Sequence, residues 1–386
     1  MRSLICVLLA MATCPSAAGR EPEITTLMYL VNRRDCIESF RAHAGRISII
    51  APQTFSMDAQ GFVMGEVPPE VMRIARENRV AVTPLVVNRG FNQPLMHTVL
   101  DAPESRARAI RYLIYYALRD GYQGFQFDSE NIHYTYRDKF TVFFREAARE
   151  FHKHRLQLSA AVVGRLDDTR NSNSPGGYDN WSGIYDYSEM GKVADFISVM
   201  AYAEHGATAD PGPVAGLPWV AAIAKYSAGT IPARKISLGV PFYGMRWEAA
   251  DTNETRQWQR GRSAHYSDAA AAMSKAEVLW DERENSPHLS FDNTGRRTEL
   301  WFENARSLQT KLQLAHEMGF IGISAWVIGQ EDPAFWDSLD AWRVRHPRKP
   351  LTSGSLDERS KRAARSLACD TTPRSAKATR PSRRIT

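Results

Sequence analysis

Short runs of apolar residues recur along the middle of the chain, and most of them are apolar at nearly every position. Strands buried on both faces have this pattern, whereas strands with one face in water alternate apolar and polar residues. Segments with helical spacing of apolar residues separate most of the runs. The predicted strands are 25–31, 47–51, 80–87, 124–127, 156–163, 196–202, 236–240 and 321–327, and the predicted helices are Pro69–Asn78, 104–120, 137–154, 218–227 and 305–318.

Eight buried strands interleaved with helices predict an α/β protein with a (β/α)8 barrel, also called a TIM barrel. The connection between the seventh and eighth predicted strands is too long for one helix. It contains several tryptophans and short β-like pieces. We therefore predict a small α+β insertion at about 247–300, within a barrel domain that spans 22–346.

The N-terminus has the order of features found in a secretory signal peptide. Arg2 supplies a positive charge, 4–12 is an apolar run too short to span a bilayer, and 16–18 is a run of small residues. We predict a signal peptide at 1–18 and an exported protein, periplasmic or secreted, with no integral membrane segment after cleavage. The alternative is a buried N-terminal strand or helix.

The C-terminal segment, 347–386, is rich in Ser, Thr, Pro, Ala and Arg and has few large apolar side chains. Such a composition predicts a disordered tail. It carries eleven Lys and Arg against three Asp and Glu, a net charge of +8. This is more than the net charge of the whole chain, which is +6. The basicity therefore belongs to the tail, and we expect no nucleic-acid partner. Binding to anionic envelope polymers and a solvated tail without a partner both remain open.

Cysteine usage gives no sign of a metal centre. Of the four cysteines, Cys36 and Cys369 remain after signal removal, and their pairing is left open. The chain has no CxxC motif or Cys/His cluster, so we predict no metal site and no cofactor. We also expect a monomer.

Two carboxylates follow the fourth predicted strand. Residues two apart on a strand point to the same side, so Gln126, Asp128 and Glu130 share one face, while Phe125 and Phe127 face the helices. In a barrel that shared face is the interior and then the mouth, where active sites lie. Because two ionised carboxylates this close repel each other, the pKa of one of them rises. A raised carboxyl pKa suits a general acid. The alternative is that Asp128 and the following serine cap the next helix.

The segment 120–132 resembles the DxxDxDxE signature of the family-18 glycoside hydrolases, the chitinase-like family. Glu130 matches the acid and Asp128 matches the last aspartate. Gln126 replaces the middle aspartate and Gln123 replaces the first. Loss of a negative neighbour at position 126 is expected to lower the pKa of Asp128 relative to such relatives.

Further motifs extend the resemblance over roughly 25–342. Met200-Ala201-Tyr202 resembles the Met-x-Tyr of strand six, and Trp326 resembles the tryptophan that floors the sugar subsite at the cleaved bond. In the family an acidic residue usually follows this tyrosine, whereas Ala203 follows Tyr202 here. Glu204, one place on, faces the other way unless the strand end twists or bulges. The runs 238–244, 301–307 and 326–330 resemble the bacterial branch that contains spore-cortex and peptidoglycan-associated hydrolases.

The resemblance implies substrate-assisted, retaining cleavage of a β-linked glycan that contains N-acetylglucosamine. It implies that Glu130 protonates the leaving oxygen, that the substrate's own acetamido group is the nucleophile, and that Asp128 and Tyr202 hold that group. The expected partner is an N-acetylated polysaccharide or oligosaccharide. Chitin, peptidoglycan or another such glycan, and endo or exo action, remain open.

Several other residues at predicted strand ends are candidates for the cleft. With Trp326, the predicted substrate-binding residues are Gln126, Tyr29, Asn131 and Tyr243, and Gln53, Phe55 and Asn88 rank with them; packing or loop capping is an equal alternative for those at the strand ends.

Two other classes of function compete with the enzyme. A carbohydrate-binding, lectin-like protein on the same barrel usually lacks the acid, whereas Glu130 is retained here. An envelope scaffold acting through its basic tail would need no acid at this position. Retention of Glu130 therefore favours a glycosidase.

Overall fold

Eight parallel strands pair side by side into a closed ring, in which the first strand pairs with both the second and the last. The computed structural model describes residues 24–170, 177–250 and 258–346; the predicted signal peptide and tail lie outside these ranges. The ring confirms the predicted (β/α)8 barrel. Its strands are Thr25–Leu30, Ile49–Met57, Leu85–Asn88, Gly124–Asp128, Gln157–Val163, Phe196–Met200, Ile236–Pro241 and Gly322–Trp326.

At least one helix follows every barrel strand, and the main hydrophobic core lies between helices and ring. The chain divides into a unit 1–343, which holds the barrel, and a unit 344–386, of which only 344–346 is described. No helix in the described ranges is long and apolar enough to cross a membrane. The helices are Arg34–His43, Pro69–Asn78, Gln93–Asp101, Pro103–Asp120, Arg137–Lys153, Tyr187–Val193, Leu217–Thr230, Tyr266–Ala272, Ala305–Glu317 and Ala334–Arg345.

The third predicted strand, 80–87, is divided in the structure. Ala81–Val82 pairs with the second barrel strand, and Leu85–Asn88 continues the ring after a break. The break contains Pro84, whose ring nitrogen has no hydrogen to donate to a ladder. Its carbonyl still accepts a hydrogen bond from the Gln126 backbone N–H at 2.9 Å, so the third and fourth strands stay joined there.

Two glycines position the fourth barrel strand. Gly121 ends the preceding helix with a φ of 77°, a left-handed conformation that glycine adopts without strain. A Cβ on Gly124 would lie 1.8 Å from the Gln157 carbonyl oxygen, so only glycine allows the neighbouring strand this close. Phe127 packs against Phe143 of the next helix, with ring centroids 5.3 Å apart. The other face of the strand is therefore turned into the barrel, as predicted.

A five-stranded antiparallel sheet lies between barrel strands seven and eight, where the sequence predicts an insertion. It begins at Gly244, slightly before the predicted boundary, and ends at Trp301. Its first and last strands pair with each other, with Met245 opposite Trp301. The strands are Gly244–Glu248, Arg262–Ala264, Leu279–Asp281, Ser286–Asn293 and Arg296–Trp301; a short strand elsewhere, Val63–Gly65, pairs with barrel strand two.

Candidate active site

Two carboxyl groups meet at the carboxyl end of barrel strand four. Asp128 is the last residue of the strand and is 3 % exposed, whereas Glu130, two residues on, is half-buried. Their side chains are within hydrogen-bonding reach of each other. A proton shared between them removes the repulsion that two ionised carboxylates would have at this separation.

Asp128 has few donors around its carboxylate. Its Oδ2 accepts a hydrogen bond from Gln53 Nε2 at 3.3 Å, while no N–H or hydroxyl group of the described residues reaches Oδ1. Burial raises the pKa of Asp128 to about 6, and the hydrogen bonds from Gln53 and Glu130 oppose that rise. The neutral Gln126 removes one negative neighbour, as the sequence suggested, but burial still holds this pKa above its ordinary value.

Glu130 keeps its proton more strongly than its partner does. Burial is the largest cause, and the charge of Asp128 adds to it; together they raise the pKa of Glu130 to about 8. At neutral pH the pair therefore holds a proton mainly on Glu130, beside an Asp128 that is mainly ionised. This is the protonation state that general acid catalysis requires.

The backbone that carries the pair is held at two points. Asn88, at the end of barrel strand three, donates from Nδ2 to the Glu130 carbonyl oxygen at 2.9 Å and accepts from the Glu130 N–H at 3.1 Å. The Tyr185 hydroxyl donates to the Ser129 carbonyl oxygen at 2.9 Å. Asn88 and Tyr185 thus fix the orientation from which Glu130 reaches the cavity.

Gln126 lies one layer deeper in the barrel. It is fully buried, and its Nε2 donates to Ser159 Oγ at 3.3 Å and to Ser198 Oγ at 3.2 Å. Ser198 is in turn hydrogen-bonded to Ser324 at 2.8 Å. The side chain predicted to bind substrate is therefore engaged in a polar layer beneath the carboxyl pair, away from the accessible surface.

Four aromatic candidates form two contacting pairs, and one ring of each pair lies near the carboxyl groups. Tyr29 and Trp326 have ring centroids 5.5 Å apart, and Tyr202 and Tyr243 meet edge to face at 6.3 Å. Burial chiefly raises the pKa of both Tyr29 and Tyr202, and the charges of Asp128 and Glu130 add to the effect. Tyr29 and Tyr202 therefore lie within electrostatic reach of the acid pair, each in contact with its partner ring.

Two candidates lie elsewhere. Asn131 has a φ of 54° and donates from Nδ2 to the Phe91 carbonyl oxygen at 2.9 Å, so its amide holds the loop after strand three. Phe55 packs on Phe125 with ring centroids 5.0 Å apart, on the helix side of the barrel. Neither side chain joins the group around the carboxyl pair.

The chain turns at Ala203, which lies where an acidic residue would be expected from the resemblance. Barrel strand six ends at Met200, and Ala203 adopts a left-handed φ of 67°, which turns the chain. Glu204 then accepts a hydrogen bond from the Gly216 N–H at 2.7 Å, ahead of the helix Leu217–Thr230. Glu204 thus anchors the start of that helix.

A cavity of about 530 Å³ opens beside Glu130, within the common size range of ligand pockets of about 300–1,000 Å³. The sequence analysis did not identify Arg165, Trp181 or Trp219; a charged residue two places after the end of barrel strand five was the available signal for Arg165. The lining is Glu130, Val163, Gly164, Arg165, Leu166, Gly177, Trp181, Ser182, Met200, Tyr202, Ala203, Glu204, Trp219 and Ile223.

Within residues 24–170, 177–250 and 258–346, no group of three or more His, Cys, Asp and Glu side chains gathers as metal ligands. Cys36 is buried as a free thiol, and burial raises its pKa. Its predicted possible partner, Cys369, lies outside the described residues.

This arrangement has counterparts in known proteins. Residues 54–331 match the family described as glycosyl hydrolases family 18. The chain belongs to this family. As a family-18 chain it is a glycosidase. The resemblance drawn from its motifs is confirmed, and so is the barrel predicted from its apolar pattern.

Several of its curated relatives are proteins of Bacillus species. The glycosylase YvbX of Bacillus subtilis is 27 % identical over 301 residues, which cover 76 % of this chain and 84 % of that protein. The cortical fragment-lytic enzyme of Bacillus subtilis is 28 % identical over 250 residues, 64 % of this chain and 56 % of that protein. This chain thus spans little more than half of the second relative.

Solved structures share the fold. The spore cortex-lytic enzyme SleL of Bacillus megaterium superposes with a TM-score of 0.73 at 20 % identity, over 82 % of this chain and 73 % of that one. A chitinase from Chromobacterium violaceum also gives a TM-score of 0.73, at 24 % identity, over 82 % of this chain and 98 % of that one. At these identities the likeness establishes the barrel.

Proposed function

We propose that this chain cleaves β-linked glycans that contain N-acetylglucosamine, with retention of configuration and with the substrate's acetamido group as nucleophile. The observation that carries the proposal is the pair at the end of strand four. A protonated Glu130 faces the cavity beside an Asp128 whose Oδ1 lacks a donor. The acetamido N–H of a bound sugar supplies such a donor.

In the first step Glu130 gives its proton to the glycosidic oxygen. The acetamido carbonyl oxygen of the same sugar attacks the anomeric carbon, the bond to the leaving group breaks, and an oxazolinium ion forms. No protein carboxylate is bonded to the sugar in this scheme. The high pKa of Glu130 keeps the proton in place until the leaving oxygen becomes basic.

Asp128 accepts the hydrogen bond from the acetamido nitrogen and stabilises the positive charge that develops there. Tyr202 donates from its hydroxyl group to the acetamido oxygen; burial raises the pKa of this hydroxyl, so it keeps its hydrogen. Glu130, now ionised, removes a proton from water, and the water opens the intermediate from the face that the leaving group left.

The remaining aromatic residues position the sugar. Trp326 is partly exposed at the end of barrel strand eight and packs on Tyr29, so its ring is supported from the barrel interior. An aromatic face of this kind stacks on the apolar side of a pyranose ring. Tyr243 supports Tyr202 through an edge-to-face contact of their rings.

The names of the relatives bear on the polymer and the compartment. The cortical fragment-lytic enzyme and SleL are named for the spore cortex, and other neighbours are named chitinases. Both kinds of glycan lie outside the cytoplasm, in agreement with the signal peptide predicted at 1–18. We therefore place the activity in the periplasm or outside the cell, on a chitin-type or peptidoglycan-type glycan.

The decisive experiment compares matched substrates by mass spectrometry of the products. The mature protein is incubated with fully N-acetylated chitooligosaccharides, the same oligomers after deacetylation, and purified peptidoglycan. Cleavage of N-acetylated glycans alone is the expected result. Equal cleavage of deacetylated oligomers would refute the internal nucleophile, and binding without cleavage of any of them would establish the lectin-like alternative.

A further inference from the structure

Arg165 lies in the same cavity as Glu130 and has no role in the mechanism above. It follows the end of barrel strand five, lines the cavity, and is only 2 % exposed. Burial of a guanidinium group to this degree destabilises the fold unless its charge is paired and all its N–H groups are hydrogen-bonded.

The ion pair of Arg165 is shared. Its Nη1 lies 2.8 Å from Asp168 Oδ1. Asp168 also pairs with Arg137, whose Nη1 and Nη2 donate to the two carboxylate oxygens at 3.0 and 2.7 Å. In addition, Asp168 accepts a hydrogen bond from the Tyr178 hydroxyl at 3.1 Å. One carboxylate thus serves two guanidinium groups, so the charge of Arg165 is only partly balanced.

Hydrogen-bonding capacity is also left over. Arg165 donates to the Ser182 carbonyl oxygen at 3.3 Å, but its Nε and the Ser182 Oγ have no hydrogen-bond partner within the described residues. The guanidinium stands over the Tyr187 ring at 4.3 Å and near the Tyr226 ring at 5.5 Å. These rings hold the group in place, while Nε is left without an acceptor among the described residues.

The cavity walls indicate what kind of molecule brings that acceptor. Trp181 and Trp219 line it together with Arg165 and Glu130, and Trp181 is 39 % exposed. Tryptophan faces suit pyranose rings, and a guanidinium suits a carboxylate, which it can bind through two parallel N–H groups. Together they describe a binding place for a sugar that bears a carboxylate.

We propose that Arg165 is a specificity-determining residue that selects glycans in which a sugar next to the cleaved bond carries a carboxylate, such as the lactyl ether of N-acetylmuramic acid. An uncharged chitin chain offers no partner to this guanidinium. The inference rests on the proposed function, because it concerns the substrate of the same cavity, and it favours peptidoglycan-type glycan whose lactyl carboxyl groups carry no stem peptide over chitin-type glycan.

The test uses one oligosaccharide in two forms. Oligomers of alternating N-acetylglucosamine and N-acetylmuramic acid carry free lactyl carboxylates, and conversion to the methylamide removes the charge while keeping the shape. Binding to the Glu130→Gln variant is measured by calorimetry, which does not depend on turnover. A charge-assisted hydrogen bond predicts about 10- to 100-fold tighter binding of the carboxylate form.

Variants at position 165 sharpen the result. Arg165→Gln in the Glu130→Gln background is expected to bind both forms with similar affinity, and Arg165→Lys to keep part of the preference because it keeps the charge. Thermal unfolding identifies a variant that does not fold. If Arg165→Gln does not fold, Arg165→Lys provides the comparison: a reduced preference supports the role of Arg165, and an undiminished one overturns it.

The outcomes separate the two proposals. Equal affinity for the two forms overturns the role of Arg165 and leaves cleavage of N-acetylated glycans intact. A preference for the carboxylate form without cleavage by the wild-type chain supports the role of Arg165 and refutes the proposed enzyme activity. A preference that survives in Arg165→Gln assigns the carboxylate to another residue and overturns the inference.

Discussion

Two buried carboxyl sites in this chain solve the same electrostatic problem in different ways. Glu303 is 2 % exposed and is paired with Lys311, which is fully buried, with Nζ 3.0 and 2.9 Å from the two carboxylate oxygens. Burial raises the pKa of Glu303, and the lysine opposes that rise. Among the described residues no lysine or arginine pairs with Asp128 or Glu130, and these two carboxyl groups share a proton instead.

The difference separates a structural site from a reactive one. At Glu303 a fixed cation balances the charge, so nothing is left to transfer. At Glu130 the balancing charge is a proton, which can leave for a substrate oxygen and return from water. A buried carboxyl with a raised pKa is thus a sign of chemistry only where no lysine or arginine accounts for it.

The largest expected effect is on turnover. Glu130→Gln keeps the shape of the side chain but removes the transferable proton, so kcat should fall by about 10²- to 10⁴-fold or more. Steady-state cleavage of the best N-acetylated oligosaccharide measures it. Glu303→Gln is the matched control, and full activity of Glu130→Gln would require reassignment of the acid.

The same exchange at the structural site should act on stability. Glu303→Gln leaves Lys311 buried without its counter-charge, which typically costs about 3–5 kcal/mol. Urea unfolding at neutral pH measures the loss, and the double change Glu303→Gln with Lys311→Met should recover much of it. An unchanged unfolding midpoint would contradict the contrast drawn between the two sites.

The pH dependence of catalysis should report the proton of the reactive pair. Deprotonation of Glu130, with its pKa raised to about 8, lowers kcat/KM about tenfold per pH unit on the alkaline side. Protonation of Asp128, with its pKa raised to about 6, lowers it on the acid side. The two values belong to the pair as a whole. A rate that stays level up to pH 10 would exclude Glu130 as the acid.

A smaller effect should appear in the stability of the reactive site. Because folding raises the pKa of Glu130 from 4.5 to about 8, the folded wild type binds the extra proton and loses stability as pH rises through this window. The Gln variant has no such loss. Its melting temperature relative to wild type should therefore increase between pH 5 and 8.5, and a constant difference would argue against a raised pKa.

The smallest effect concerns the tail. Truncation before Pro347 should leave the melting temperature nearly unchanged, because 347–386 has little apolar surface to bury. Thermal unfolding of full-length and truncated proteins makes the comparison. A loss of several degrees would mean that the segment stabilises the barrel.

Most of the structure that could be predicted from the sequence followed from the spacing of residues within single strands and helices. The apolar run at 236–240 corresponds to the strand Ile236–Pro241, and Asp128 and Glu130 come together because they lie two residues apart at the end of one short strand. The short helix Tyr187–Val193 was not predicted, since seven residues give too little periodicity. Strand three was predicted without its break, because the apolar pattern continues across Pro84.

Features that depend on distant residues could not be predicted. The burial of Arg165 depends on Tyr187 and Tyr226, which come from two later helices. The hold of Asn88 on Glu130 joins two barrel strands. No local pattern marks either contact, so the charge on Arg165 could be noticed in the sequence while its surroundings could not.

The antiparallel sheet leaves and re-enters the barrel through adjacent strands, since Met245 pairs with Trp301. Because the two ends of the segment 244–301 lie side by side, a longer loop within it adds little entropic cost to closing the barrel. Loops in this excursion can therefore vary in evolution without shifting the register of strands seven and eight. Such a part of the molecule can diversify while the barrel and its acid pair are inherited unchanged.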